Sequence, residues 1–235
     1  MSSIFHQHKG RYGYRRMTQE LKNRGLIINH KVVSRLMKEL GLVCKVRQHR
    51  YRSYKGEVGK KAPNILNREF QAQAPNQKWV TDVTEFKVGS RKLYLSPILD
   101  LYNGEIISFQ MAESPNLSLV TDMLKKALNS LPDDSKLILH SDQGWQYRHV
   151  SYCGLLEEHG ITQSMSRKGN CYDNAVMENF FGLLKSELLY LEEFEDVEAL
   201  KKALEEYIAY YNHYRIKMKL NGLSPVQYRI QNQAA

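Results

Sequence analysis

The 235-residue chain is short of cysteine, with three, and of proline, with six. Cys44, Cys153 and Cys171 stand far apart with no C-x-x-C pair. That excludes a disulfide-stapled scaffold and leaves no cysteine framework for zinc. No apolar run approaches the ~20 residues of a bilayer span. The longest, such as LYLSPILDLY, are interrupted by polar groups, and the opening MSSIFHQHKGRYGYRR lacks the apolar centre of a signal peptide. A soluble, intracellular protein with reduced thiols is expected. His6 and His8 are followed by no paired cysteines, so both are read as solvated rather than as metal ligands.

Acidic residues are scarce in one region only. Residues 1–61 carry 16 Lys and Arg against Glu20, Glu39 and Glu57, a balance of +13, whereas the remaining residues carry 18 basic and 22 acidic groups, a balance of −4. The net charge of +9 therefore belongs wholly to the amino-terminal segment. This is the electrostatic footprint of a nucleic-acid-binding appendage on a near-neutral body.

Within that segment, Tyr14, Met17 and Leu21 recur at helical spacing until Gly25, and Val32, Val33, Leu36, Met37 and Leu40 repeat from a cap at Asn29 to Gly41. Two short helices with a glycine-containing join form a helix-turn-helix pattern. The second helix would present His30, Lys31, Ser34, Arg35 and Lys38 to solvent, residue types that reach phosphates and base edges in a major groove. Arg15 and Arg16 add cations on the first helix. The aperiodic, basic and tyrosine-containing stretch that follows is read as a linker able to track a phosphate backbone.

Beyond Pro75 the pattern changes to strands. KWVTDVTEFKV alternates as one strand, and RKLYLSPILDLY and GEIISFQMAES follow after turns at Val88-Gly89-Ser90 and Asn103-Gly104, giving an antiparallel meander. A helix over Leu117–Leu131, a short strand LILH, a helix from about His149 to His159 and a strand ITQSMS complete an α/β body with a mixed sheet.

Three acids sit where a solvated charge is unexpected. Asp82 lies among Trp79, Val80, Val83 and Phe86. Asp142 follows the apolar strand LILHS, at the strand end where open α/β sheets place ligands. Glu178 lies on a helical stretch and shares a face with Asn174 and Lys185. Two carboxylates within ~4 Å of each other repel by about 4 kcal/mol at an effective dielectric near 20, so a cation must offset them. All-oxygen ligands suit Mg²⁺ or Mn²⁺, and two such ions can assist both sides of a phosphodiester displacement.

WVTDVTEF, HSDQGWQY and SRKGNCYDNAVMENFFGLLKSELL, with 35 residues between Asp142 and Glu178, closely resemble the DDE core of bacterial insertion-sequence transposases of the IS-three type, relatives of retroviral integrases. GRYGYRRM and NHKVVSRLMKELGL resemble that family's helix-turn-helix, and YIAYYNHYRIKMKLNGLSPVQY resembles its carboxyl-terminal signature. The resemblance implies a ribonuclease-H-like mixed five-stranded sheet flanked by helices, with a small all-α amino-terminal domain. It implies a linear partition into a helix-turn-helix domain at 1–45, a basic linker at 46–75, a catalytic core at 76–190 and a helical extension at 191–235.

By the same resemblance Asp82, Asp142 and Glu178 hold two Mg²⁺ ions, with Mn²⁺ as substitute, and catalyse 3′-end cleavage and strand transfer. Lys185 contacts the DNA end, and Asn174 orients the site. Lys168, in the loop SRKGNCYDN, adds a DNA-binding cation, and that loop is expected to close over the strand ends on binding. Asp173 is read as a helix cap. The tyrosines of the carboxyl-terminal helix are read as packing, while Arg215, Lys217 and Lys219 form a basic cluster toward DNA. The partners implied are duplex DNA, a second copy of the chain and an upstream-frame product or fusion, in a bacterial cytoplasm. Two other readings fit the residues less fully: a ribonuclease-H-type nuclease and a catalytically silent DNA-binding modulator.

Overall fold

The computed structural model describes residues 1–46, 62–132, 136–167 and 170–233. Lys168 and residues 47–61, half of the expected basic linker, lie outside these residues. The chain divides into two compact units, and the division is not linear. Met1–Arg50 clusters with Leu183–Glu193 and Glu206–Ala235, while Tyr51–Gly182 clusters with Phe194–Glu205. The expected 1–45 segment thus shares a unit with most of the expected 191–235 segment, Phe194–Glu205 excepted, because partners of the amino-terminal polar side chains come from residues 187 to 222.

In the first unit, α1 (Ser2–Gln7), α2 (Tyr14–Asn23) and α3 (His30–Glu39) enclose Ile4, Phe5, Met17, Leu21, Val33 and Met37. The helix boundaries follow the expected signals. Asn29 Oδ1 accepts the Lys31 amide at 2.9 Å, and Gly25 and Gly41 adopt φ of +84° and +65°, the left-handed region that ends a helix at least cost in glycine. α1 carries no clear helical signal in the sequence, and His8, expected in solvent, is buried at its end with its ring stacked 3.8 Å from that of Tyr12.

In the second unit, β1 (Lys78–Thr81), β2 (Thr84–Val88), β3 (Arg91–Asp100), β4 (Ile106–Ala112), β5 (Ile138–Ser141) and β6 (Thr162–Met165) form one mixed sheet. β2, β3 and β4 make the antiparallel meander, whereas β5 pairs in parallel with both β1 and β6. The expected single strand KWVTDVTEFKV is broken at Asp82-Val83. β1 pairs with Ile98–Asp100 of β3 and β2 pairs with Arg91–Leu95, so the two halves lie end to end on one side of β3. The five expected strands are therefore six, one of them interrupted.

α4 (Leu117–Leu128) and α5 (Val150–Glu158) pack a core of Val120, Met123, Leu124 and Leu156 against Trp79, Ile98 and Leu139 of the sheet. Residues 62–70, expected within the linker, are instead tied to this body. Leu66 is buried, and the amides of Ile65 and Leu66 both donate to Ser164 Oγ at 3.0 Å. α6 (Ala175–Leu184) follows β6 and passes into a π-helical turn, Lys185–Leu189, before α7 (Val197–His213) and α8 (Pro225–Gln233).

Candidate active site

The parallel register of β1 and β5 pairs Val80 with His140. Counting two residues on along each strand brings Asp82 level with Asp142, each just beyond its strand's carboxyl end. Asp82 turns at the strand break, where its Oδ1 accepts the Val83 amide at 2.8 Å. Asp142 accepts the Gly144 amide at 2.8 Å, and burial still pushes its carboxyl up against the opposing effects of that hydrogen bond and of Arg148. Gly144 is required by space: a Cβ there would lie 2.9 Å from Asp142 Oδ1.

Tyr147, on the short 3₁₀ turn Trp145–Arg148, is wholly buried, and its phenol is pushed well above its ordinary range by burial, then by Asp82 and Asp142. One phenol feels both carboxylates, which marks it as their shared neighbour. In the sequence this tyrosine is the last residue of HSDQGWQY, five after Asp142, and the pattern alone gives it no role.

Glu178 sits in the first turn of α6, partly buried, and burial alone raises its carboxyl. One turn earlier, buried Asn174 donates through Nδ2 to the carbonyl of Thr81 at 3.4 Å, and its Oδ1 has no hydrogen-bond partner. Among the described residues no three His, Cys, Asp or Glu side chains are gathered to hold one ion. The register therefore brings Asp82 and Asp142 together, and Glu178 is not gathered into a single cluster with them.

Asp173 does not serve as the expected cap. Its fully buried carboxylate receives Arg167, Arg68 and Asn64, and its carboxyl is held far below the usual range, chiefly by Arg167. His140, two residues before Asp142, is buried between two hydroxyls, with Nδ1 2.8 Å from Ser164 Oγ and Nε2 3.0 Å from Ser166 Oγ. Because Ser164 Oγ already accepts two backbone amides, its proton points to Nδ1, and the imidazole is neutral with its hydrogen on Nε2.

Comparison with known proteins fits this geometry. Families described as integrase core domains match residues 72–171 and 178–232, and an HTH-like domain family matches residues 1–50. A putative transposase, InsK, of insertion sequence element IS150 from Escherichia coli is 57% identical over 231 residues, covering 98% of this chain and 82% of the relative. A transposase-like protein of Haemophilus influenzae is 57% identical over 205 residues, 87% of this chain and 94% of its own length. Transposase InsF for IS3A of E. coli is 35% identical over 234 residues, 99% and 81% of the two chains. The chain belongs to the IS3-family transposases of bacterial insertion sequences.

The fold of this transposase is that of retroviral integrase cores. The HTLV-2 integrase catalytic core domain, solved in complex with magnesium, superimposes with a TM-score of 0.53 at 19% identity, over 67% of this chain and 98% of its own. No helix among the described residues is long and apolar enough to cross a membrane.

The basic residues of the first unit divide into two kinds. Arg15, Lys31, Arg35 and Lys38 are exposed, with Arg35 loosely paired to Glu39 at 3.5 Å. Arg16 is instead directed to the buried carboxylate of Glu187, 3.2 Å away. Arg215, expected in a DNA-facing cluster, is buried and grips Glu187 through two bonds of 2.7 and 2.8 Å, with Tyr207 donating a third at 3.1 Å. Lys217 donates to Tyr211 at 2.7 Å and burial pushes its amine down to about 7, which leaves Lys219 as the exposed member of that cluster. Tyr207 and Tyr211 are buried packing residues, in agreement with the sequence. Lys185 opens the π-helical turn.

Proposed function

We propose that the chain cleaves the 3′ ends of its insertion element and joins them to target DNA, by divalent-metal-assisted phosphoryl transfer at Asp82, Asp142 and Glu178. The observation that carries this reading is the level placement of Asp82 and Asp142 at the ends of adjacent parallel strands. The residues present suit a hard cation. The donors are carboxylate oxygens, burial raises both Asp142 and Glu178, and the buried Oδ1 of Asn174 is without a partner.

Asp82, Asp142 and Glu178 would hold two Mg²⁺ ions, which Mn²⁺ can replace, and a bound pair supplies Lewis acidity to both sides of the phosphodiester. The protein's own part is positional. The Val83 and Gly144 amides fix the two aspartates, and the buried Tyr147 phenol lies close enough to be raised by both. No Ser, Tyr or Cys nucleophile is needed, since the attacking oxygen belongs to water in the first step and to the freed 3′-hydroxyl in the second.

Arg15, Lys31, Arg35 and Lys38 engage phosphates and base edges of the element's terminal repeats, and Lys185 and Lys168 contact the DNA end. Pairing two ends requires a multimer on DNA, and an upstream-frame product is a further partner.

The test is a duplex carrying the element's terminal repeat, incubated with full chain and Mg²⁺ or Mn²⁺. Nicking and end joining are expected for the wild type and absent for Asp82→Asn, Asp142→Asn and Glu178→Gln, with DNA binding retained. Joining at the wild-type rate by any of the three would remove that residue from the site.

A further inference from the structure

The five hydrogen bonds that converge on one carboxylate next to α6 take no part in the metal chemistry proposed for the site. Asp173 lies two residues before that helix and is fully buried. Its Oδ2 accepts Asn64 Nδ2 at 2.9 Å, the Arg167 amide at 3.0 Å and Arg167 Nε at 2.9 Å. Its Oδ1 accepts Arg68 Nε at 2.9 Å and Arg167 Nη2 at 3.1 Å. The donors come from both sides of the loop that leads to Glu178. Arg167 follows β6, and Asn64 and Arg68 belong to the segment that Ser164 anchors through the amides of Ile65 and Leu66.

Glu178 itself has no such support. Its carboxyl is raised by burial, and its place in the first turn of α6 ties its location to where that helix starts. The approach to that helix is held at two points: Asn174 reaches the Thr81 carbonyl, beside Asp82, and Asp173 is clasped by two guanidinium groups, the Asn64 side-chain amide and the Arg167 backbone amide. A buried charge whose acceptor sites are this fully used allows few other geometries, because moving it would leave a buried carboxylate short of its donors. Arg167 and Asp173 are thereby joined directly.

We infer that Asp173 is a positioning residue for Glu178: its clasp by Asn64, Arg68 and Arg167 sets the start of α6 so that the third carboxylate can join Asp82 and Asp142 around a divalent cation. This rests on the metal-assisted reading of the site. The Asp173 carboxylate itself touches neither substrate nor ion, its oxygens being already occupied.

The experiment is Mn²⁺ binding to the full chain, followed by electron paramagnetic resonance, with Mg²⁺-dependent end cleavage read in parallel. Asp173→Asn and Arg167→Gln are each expected to weaken Mn²⁺ binding about tenfold, in the range typical of groups that orient metal ligands. The Mg²⁺ concentration for half-maximal cleavage should rise by a similar factor, while metal-free binding to duplex DNA is unchanged. Arg167 is half exposed, so its variant keeps the test decisive if Asp173→Asn fails to fold. Mn²⁺ affinity and Mg²⁺ dependence within twofold of wild type in Arg167→Gln, or in a folded Asp173→Asn, would overturn the inference while leaving the metal-assisted reading intact. A wild-type chain that binds no Mn²⁺ and cleaves no ends would overturn both.

Discussion

Asp82 and Asp142 stand level with one another past the ends of β1 and β5, and the phenol of Tyr147 is raised by both of them. Two acids in that arrangement, with burial acting on at least one, are a cost to the metal-free fold.

Relief of that cost is measurable. Asp142→Asn should stabilise the metal-free protein, because the amide carries no charge for burial to penalise, while abolishing end cleavage. Mg²⁺, which should raise the wild-type melting temperature, should leave that of the variant unmoved. A variant less stable than wild type in chelator would argue that the pair is not strained.

Gly144→Ala places a methyl group 2.9 Å from Asp142 Oδ1. The carboxylate must move by about half an ångström to regain an ordinary contact. A misplacement of about 1 Å in a reacting constellation costs about 10²-fold, so that shift should cost roughly tenfold. End cleavage should fall by about that factor with DNA affinity preserved; undiminished cleavage would mean that Asp142 has slack in the productive state.

The exposed cations of α3 should act through counterion release. Replacing Lys31, Arg35 and Lys38 together by Ala should weaken duplex binding and reduce the slope of log affinity against log salt by up to about 0.9 for each phosphate no longer neutralised. Arg16→Ala, whose guanidinium faces Glu187, should leave the slope unchanged and lower stability instead. An unaltered slope in the triple variant would move the DNA-binding surface elsewhere.

Glu187 and Arg215 form a buried ion pair, so breaking it from one side should cost far more than removing it whole. Arg215→Met strands a buried carboxylate and should destabilise by about 3–5 kcal/mol. Glu187→Met combined with Arg215→Met should recover much of that loss in urea unfolding. Additive losses would show that the pair contributes little beyond packing.

His8 is held neutral, its pKa lowered to about 4 chiefly by burial. The unfolded chain takes up that proton near pH 6.5 and the folded chain does not, so stability falls as pH drops from about 6.5 toward 4, by at most about 1.4 kcal/mol per pH unit. His8→Phe keeps the stack on Tyr12 and should flatten this part of the profile. An identical slope in the variant would assign the acid sensitivity to other groups.

Much of the fold is readable in the chain itself, and the exceptions have physical causes. Caps and glycines mark α2 and α3 because those signals are local, and the meander and later elements follow from periodicity in the same way. The break at Asp82-Val83 is hidden, since the alternation from Thr81 to Val83 to Glu85 runs through it undisturbed. Arg16 and Arg215 read as DNA-facing because a basic side chain is by default solvated, and only Glu187, distant from Arg16 in sequence, draws them inward. Asp173 misleads for the same reason: its position before a helix suggests a cap, and the partners that claim it lie over a hundred residues earlier or at the far side of its loop.

The first unit is assembled from three stretches of chain, with Arg11, Tyr12 and Arg16 satisfied by residues 187, 214 and 216. During synthesis the amino-terminal helices leave the ribosome long before those partners exist. A nascent chain halted before Glu187 lacks every one of those partners, so the amino-terminal helices are the first part of the molecule to be made and among the last to be completed.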